Sequence, residues 1–132
     1  DRGVIVLCRT SNPGGDDLQG LVIDGEPLFT KVAKMVRDRC DDHRQCAIVV
    51  GATYPAEMAV LRDLCPEMPF LVPGVGAQGG DPEVIMEVGR TTTGSGLIVN
   101  TSRAVLYASA GDDYAAAARR VATETAAVLR LP

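Results

Sequence analysis

Four short apolar runs, none alternating with polar residues, constrain this chain more than any other feature. They are "GVIVLC" (Gly3 to Cys8), "AIVVGAT" (Ala47 to Thr53), "FLVPGVG" (Phe70 to Gly76) and "GLIVN" (Gly96 to Asn100). A strand with one face in water alternates, whereas a strand covered on both faces does not, and covering both faces is the habit of parallel sheets. Parallel neighbours need a crossover, usually a helix. The segment from about Glu26 to Cys40 supplies one, with Phe29, Val32, Val36 and Cys40 as its apolar stripe. A second opens with Pro55 at a good first helical position and Glu57 in the first turn, and Met58, Leu61 and Leu64 carry its buried face. A short helix is expected near Pro82 to Val88. A last one starts at Asp112 or Asp113, either of which can cap it, and runs to the end with Tyr114, Ala118, Val121, Thr125 and Val128 as its stripe.

Strand and helix thus alternate four times in one domain with no internal linker, which predicts parallel α/β architecture. A complete eight-unit (β/α)8 barrel runs to about 250 residues, so four units in 132 residues make half of one. An open doubly wound sheet of four strands fits the same pattern, and the pattern leaves both open.

The totals narrow the function. A net charge of −4 argues against a nucleic-acid surface, because phosphate backbones recruit clustered Lys and Arg. No apolar run approaches the roughly 18 residues of a membrane span, and no signal peptide precedes "VIVLC". The chain lacks an initiator Met although a strand begins by Val4, which reads as processing or as a piece of a longer protein. Cys8, Cys40, Cys46 and Cys65 form no C-x-x-C pair and read as buried thiols of a cytoplasmic protein. His43, the sole histidine, lies in the polar run "DDHRQ", so a His-based zinc site or a Ser-His-Asp triad lacks material. Neither a metal nor a cofactor is expected.

The loops carry the chemistry. Gly74, Gly76 and Gly79 spell G-x-G-x-x-G after an apolar run. A dinucleotide fold asks for an acidic residue about 20 positions on, at the end of the next strand. That strand ends near Asn100, and Pro73 interrupts the loop's entry. In a barrel, by contrast, polar residues collect after the strands, and the loops after strands seven and eight form a recurrent phosphate site. "PGVGAQGG" and "NTSRAV" fit that site. Glycines let backbone N–H groups approach phosphate oxygens, Gln78 offers an amide, and Arg103 adds a guanidinium at the start of a short helix.

With those residues in view, "RTSNPGGDDLQ" (Arg9 to Gln19), "ATYPAEMAVLRDLCPEMPFLVPGVGAQGGD" (Ala52 to Asp81) and "NTSRAVLYAS" (Asn100 to Ser109) resemble orotidine 5′-phosphate decarboxylase, in the longer bacterial subtype found in actinobacteria and relatives. The resemblance spans nearly the whole chain and only the C-terminal half, strands five to eight, of that family's (β/α)8 barrel. It implies that Ser11 hydrogen-bonds the pyrimidine imide edge and that Gln78 bridges phosphate and base. Arg103 and the backbone around Ser102 would grip the phosphate, and Pro73 to Gly79 would form a loop that closes over the nucleotide. It also implies a homodimer. The family's D-x-K-x-x-D signature has no counterpart here. Lys31 and Lys34 fall on the first helix, and the pairs Asp16-Asp17, Asp41-Asp42 and Asp112-Asp113 read as turn or cap residues. The resemblance therefore implies a chain that carries the grip without the chemistry and is inactive alone, its partners being OMP or UMP and the N-terminal half of the barrel. Another phosphosugar barrel enzyme, an epimerase or isomerase, and a non-catalytic phosphate-binding half-barrel remain as alternatives.

Overall fold

The computed structural model describes residues 2–42, 44–76 and 78–130; His43 and Ala77, part of the readings above, lie outside them. The chain runs β1 (Val4–Arg9), a 3-10 turn (Pro13–Gly15), α1 (Asp16–Gln19), β2 (Val22–Ile23), β3 (Glu26–Pro27), α2 (Leu28–Arg39) and β4 (Cys46–Val50). It continues through α3 (Pro55–Leu64), β5 (Phe70–Val72), α4 (Pro82–Gly89), β6 (Leu97–Val99), α5 (Arg103–Leu106) and α6 (Tyr114–Val128).

β1, β4, β5 and β6 form one parallel sheet in that order. Each crossover lands on the next strand, so the order never reverses and the doubly wound alternative falls. Strand order and helix placement are those of half a barrel. The long polar passage after β1 holds what the pattern could not show: β2 and β3 pair as a two-stranded hairpin. Asp24 (φ 53°) and Gly25 (φ 80°) turn it, the two left-handed residues of a type I′ turn. Arms of two residues are too short to register as a period.

Helices α2, α3 and α4 cover one face of the sheet. Val36 and Ala33 of α2, Met58 and Leu61 of α3 and Ile85 of α4 pack with Cys8, Ile48, Val50, Phe70 and Val72. The expected stripe of α2 needs correction at its end. Cys40 is exposed, because the chain leaves the helix there, and Ala33 and Thr30 join Phe29 and Val36 on the buried side. The other three cysteines are buried, and burial pushes the Cys8 thiol up to about 12, leaving it inert. The expected stripe of α6 holds in its middle and fails at its ends: Ala118, Val121 and Thr125 are half-buried beside the buried Ala117, whereas Tyr114 and Val128 are exposed. This helix packs on α5 and α4, and Leu129 just past its end packs against the core. Asp113 does hold the cap position, but its carboxylate accepts from Ser109 Oγ at 2.5 Å and not from a helix amide.

The other, concave face is partly bare. Ile5 and Leu7 of β1 and Ile98 of β6 are exposed, Leu7 to 68%. At the N-terminal ends of the strands Arg62 is buried and stacks 3.7 Å from the Phe70 ring centroid. Its guanidinium donates to the carbonyls of Gly89 (2.8 Å), Cys65 (2.9 Å) and Met68 (2.8 Å). Lys34 pairs with Glu26, and Lys31 with Asp24. No helix among the described residues is long and apolar enough to cross a membrane.

Candidate functional site

The C-terminal ends of β5 and β6 open into a cleft of about 120 Å³. Pro73, Gly74, Val75 and Gln78 line it from the first loop, and Asn100, Thr101, Ser102 and Arg103 from the second. The glycines shape the first loop by their backbone angles. Gly74, Gly76 and Gly79 have φ of 95°, 74° and 88°, in the left-handed region that side chains resist. The loop then folds back on itself: the Gly76 amide donates to the Gly80 carbonyl (3.1 Å), Gly79 to Gly76 (2.8 Å) and Gly80 to Gly74 (3.1 Å). These three amides are engaged within the loop, whereas Ser102 and Arg103 stand at the start of α5, where backbone amides have no intrahelical acceptor.

This geometry also explains why the G-x-G-x-x-G spacing does not serve a dinucleotide. In that fold the glycines lead straight into a helix whose N-terminus receives a pyrophosphate. Here the loop closes first, and Asp81 caps α4 by accepting from the Glu83 amide at 2.8 Å. A carboxylate at that N-terminus repels a second anion.

Ser11 reaches the cleft from the loop after β1. Its hydroxyl donates to Gln78 Oε1 at 2.5 Å, joining chain segments 67 residues apart. Two glycines make the approach possible. A Cβ on Gly51 would stand 2.7 Å from the Ser11 amide nitrogen, and one on Gly74 would stand 2.8 Å from Gln78 Oε1 and 3.0 Å from Ser11 Cβ. Gln78 Nε2 donates to no described residue, which leaves it for a ligand. Arg103 opens α5 at the cleft wall and is exposed, without an ion pair among the described residues. Thr101 Oγ1 ties the two walls together through the Val75 carbonyl at 3.4 Å.

All five residues expected from the sequence are thus brought together: Pro73, Gln78, Ser102 and Arg103 line the cleft, and Ser11 is bonded to Gln78 at its rim. Asn100 and Thr101 line it as well, although the sequence reading gave them no role. Their signal was position alone, the first two residues past a strand. The cleft has one cation, the side-chain amides of Gln78 and Asn100 and several hydroxyls, a donor set suited to an anion joined to a hydrogen-bonding ring. No Lys, Asp, Glu or His lines it, so it holds no general acid or base among the described residues. No described cluster of three or more His, Cys, Asp or Glu could hold a metal.

No protein-family model matches the chain. Curated relatives do match: the orotidine 5′-phosphate decarboxylase of Janthinobacterium sp. (strain Marseille) is 58% identical over 125 residues, 95% of this chain and 46% of that protein. Among solved structures, Leishmania donovani UMP synthase superposes with a TM-score of 0.83 at 37% identity, over 98% of this chain and 28% of that one. Leishmania donovani OMP decarboxylase superposes at 0.80 and 34% identity, over 98% of this chain and 49% of that one. The chain spans about half the length of the curated relatives it matches. Over that half, in sequence and in fold, it is a homologue of the orotidine 5′-phosphate decarboxylases.

Proposed function

We propose that this chain is the ligand-gripping C-terminal half of an orotidine 5′-phosphate decarboxylase, acting in the conversion of OMP to UMP and CO2 in pyrimidine biosynthesis. The observation that carries the reading is the convergence of Ser11, Gln78 and Arg103 from the ends of three strands. Arg103, with Ser102 beside it, takes the phosphate; Gln78 Nε2 reaches the same group; and the Ser11 hydroxyl faces the pyrimidine. Pro73 to Gly79 close over the bound nucleotide, exchanging the loop's internal bonds for contacts to it. Closure excludes water and strengthens each electrostatic contact inside.

The carboxylate of OMP leaves at a carbon remote from the phosphate. Binding energy gathered at Arg103 is nonetheless useful there, because it drives closure and aligns the reacting ring. The group that protonates the product carbanion lies in the complementary half of the barrel. Lys31 and Lys34 are the only lysines here, and both are engaged on the outside of α2. The bare apolar concave face supports the same division, since Ile5, Leu7 and Ile98 are what a second set of four strands would cover. The assembled enzyme works in the cytoplasm as a homodimer.

The test compares the assembled enzyme with its Arg103→Ala variant on OMP and on the bare nucleoside, orotidine. On OMP, kcat/KM should fall by about 1.5–3 kcal/mol, the range for hydrogen bonds to charged groups, with part of the loss in kcat. On orotidine the two proteins should match. Equal losses on both substrates would mean that Arg103 maintains the fold and does not hold phosphate.

A further inference from the structure

Arg9 ends β1 and is 2% exposed, the largest fully buried side chain described. The β1–β4 register shifts between Leu7 and Arg9, so Cys8 and Arg9, neighbours in sequence, both contact the helix layer. Cys8 Sγ donates to the Phe29 carbonyl at 3.1 Å. The Arg9 guanidinium lies 3.6 Å from the Tyr54 ring centroid and 5.9 Å from that of Phe29. Arg9 Nη2 donates to Asp16 Oδ1 at 2.5 Å and reaches Glu57 Oε1 at 3.5 Å. Its Nε and Nη1 are buried with no hydrogen-bond partner.

Burying a cation with unpaired N–H groups is unfavourable, and an aliphatic side chain would pack there at less cost. What the guanidinium adds is a cross-tie. Asp16 belongs to the segment after β1, whereas Tyr54 and Glu57 belong to the loop and helix after β4. The tie continues through the backbone, where the Gly51 amide donates to the Arg9 carbonyl at 2.7 Å. Ser11 follows two residues on, pressed against the bare Cα of Gly51. We propose that Arg9 is a positioning residue, clamping the segments after β1 and β4 together and so holding the Ser11 hydroxyl opposite Gln78. It deepens the functional reading above, on which only the ligand half of its test depends.

Arg9→Met and the milder Asp16→Asn, at an exposed partner, are compared with wild type and Ser11→Ala in the assembled enzyme. Without ligand, both should shift the NMR resonances of the Gln78 side-chain amide in the direction that Ser11→Ala shifts them. With ligand, both should weaken UMP roughly tenfold, about the loss of one well-placed hydrogen bond. Affinity for ribose 5-phosphate, which lacks the ring that Ser11 would face, should stay within about twofold. Should Arg9→Met fail to fold, Asp16→Asn alone gives the same reading. An unmoved Gln78 amide, or equal weakening of UMP and ribose 5-phosphate, would overturn the proposal and leave Arg9 a purely structural residue. A Gln78 amide that moves as expected in a protein that does not bind UMP would keep the positioning role and remove the decarboxylase reading.

Discussion

Gly74 shows how little room the cleft allows. Its φ of 95° and the 2.8 Å from a built Cβ to Gln78 Oε1 make two separate demands, one on the backbone and one on space. Gly25 makes only the first: φ is 80° and nothing lies within 4 Å of its built Cβ. Alanine at either position should cost about 1–2 kcal/mol of stability through left-handed strain. Only Gly74→Ala should also dislodge the Ser11–Gln78 bond and weaken UMP, by roughly tenfold. Denaturation and titration calorimetry on the two variants separate the effects, and a Gly74→Ala protein that binds UMP normally would show that the bond is dispensable. The sequence pointed to Gly74, Gly76 and Gly79 as an anion loop. It could not show that the Gly76 and Gly79 amides are engaged within the loop, because that depends on a chain reversal that also turns the Gly80 amide onto the Gly74 carbonyl. Arg9 was less legible still. A charge at the end of an apolar run reads as the point where the chain meets water, and the partners that bury it, Asp16, Tyr54 and Glu57, come from separate segments.

At the level of elements, legibility followed what each helix packs against. α3 was found from Pro55 through Leu64 because Met58 and Leu61 face the sheet, and large side chains at helical spacing mark such a face. α6 packs on α5 and α4 and turns a shallow face inward, Ala117, Ala118, Val121 and Thr125, while its end residues Tyr114 and Val128 face outward. Arg62 sits in the same α3 turn as Leu61 but does a different job. It gathers carbonyls at the ends of α3 and α4 and before β5. Arg62→Met keeps the bulk over Phe70 and leaves those buried carbonyls without donors. The expected loss is about 3–5 kcal/mol in urea denaturation, with nucleotide affinity unchanged in whatever fraction stays folded, since this end of the sheet lies opposite the cleft. A loss under about 1 kcal/mol would mean that water replaces the guanidinium.

For the whole molecule, the strand order was legible in direction but not in closure. Continuous apolar runs imply parallel strands with both faces covered, and the helices cover one face only. The residues that stay bare, Ile5, Leu7 and Ile98, are as apolar as those beneath the helices, so hydropathy could not tell the two faces apart. If the complementary half of the barrel covers them, this chain alone should show no decarboxylation of OMP, and mixing it with that half should restore turnover. Activity from the 132 residues alone would mean that the reaction runs without either lysine placed at the cleft. The two edges of the sheet carry a further consequence. Among the described residues β1 and β6 each have a neighbour on one side only, and open edges beside bare apolar surface recruit other chains. Studied by itself, the chain then has no melting temperature of its own: association stabilises by mass action, so its unfolding midpoint should climb with protein concentration, and self-association competes with the authentic half for the same edges.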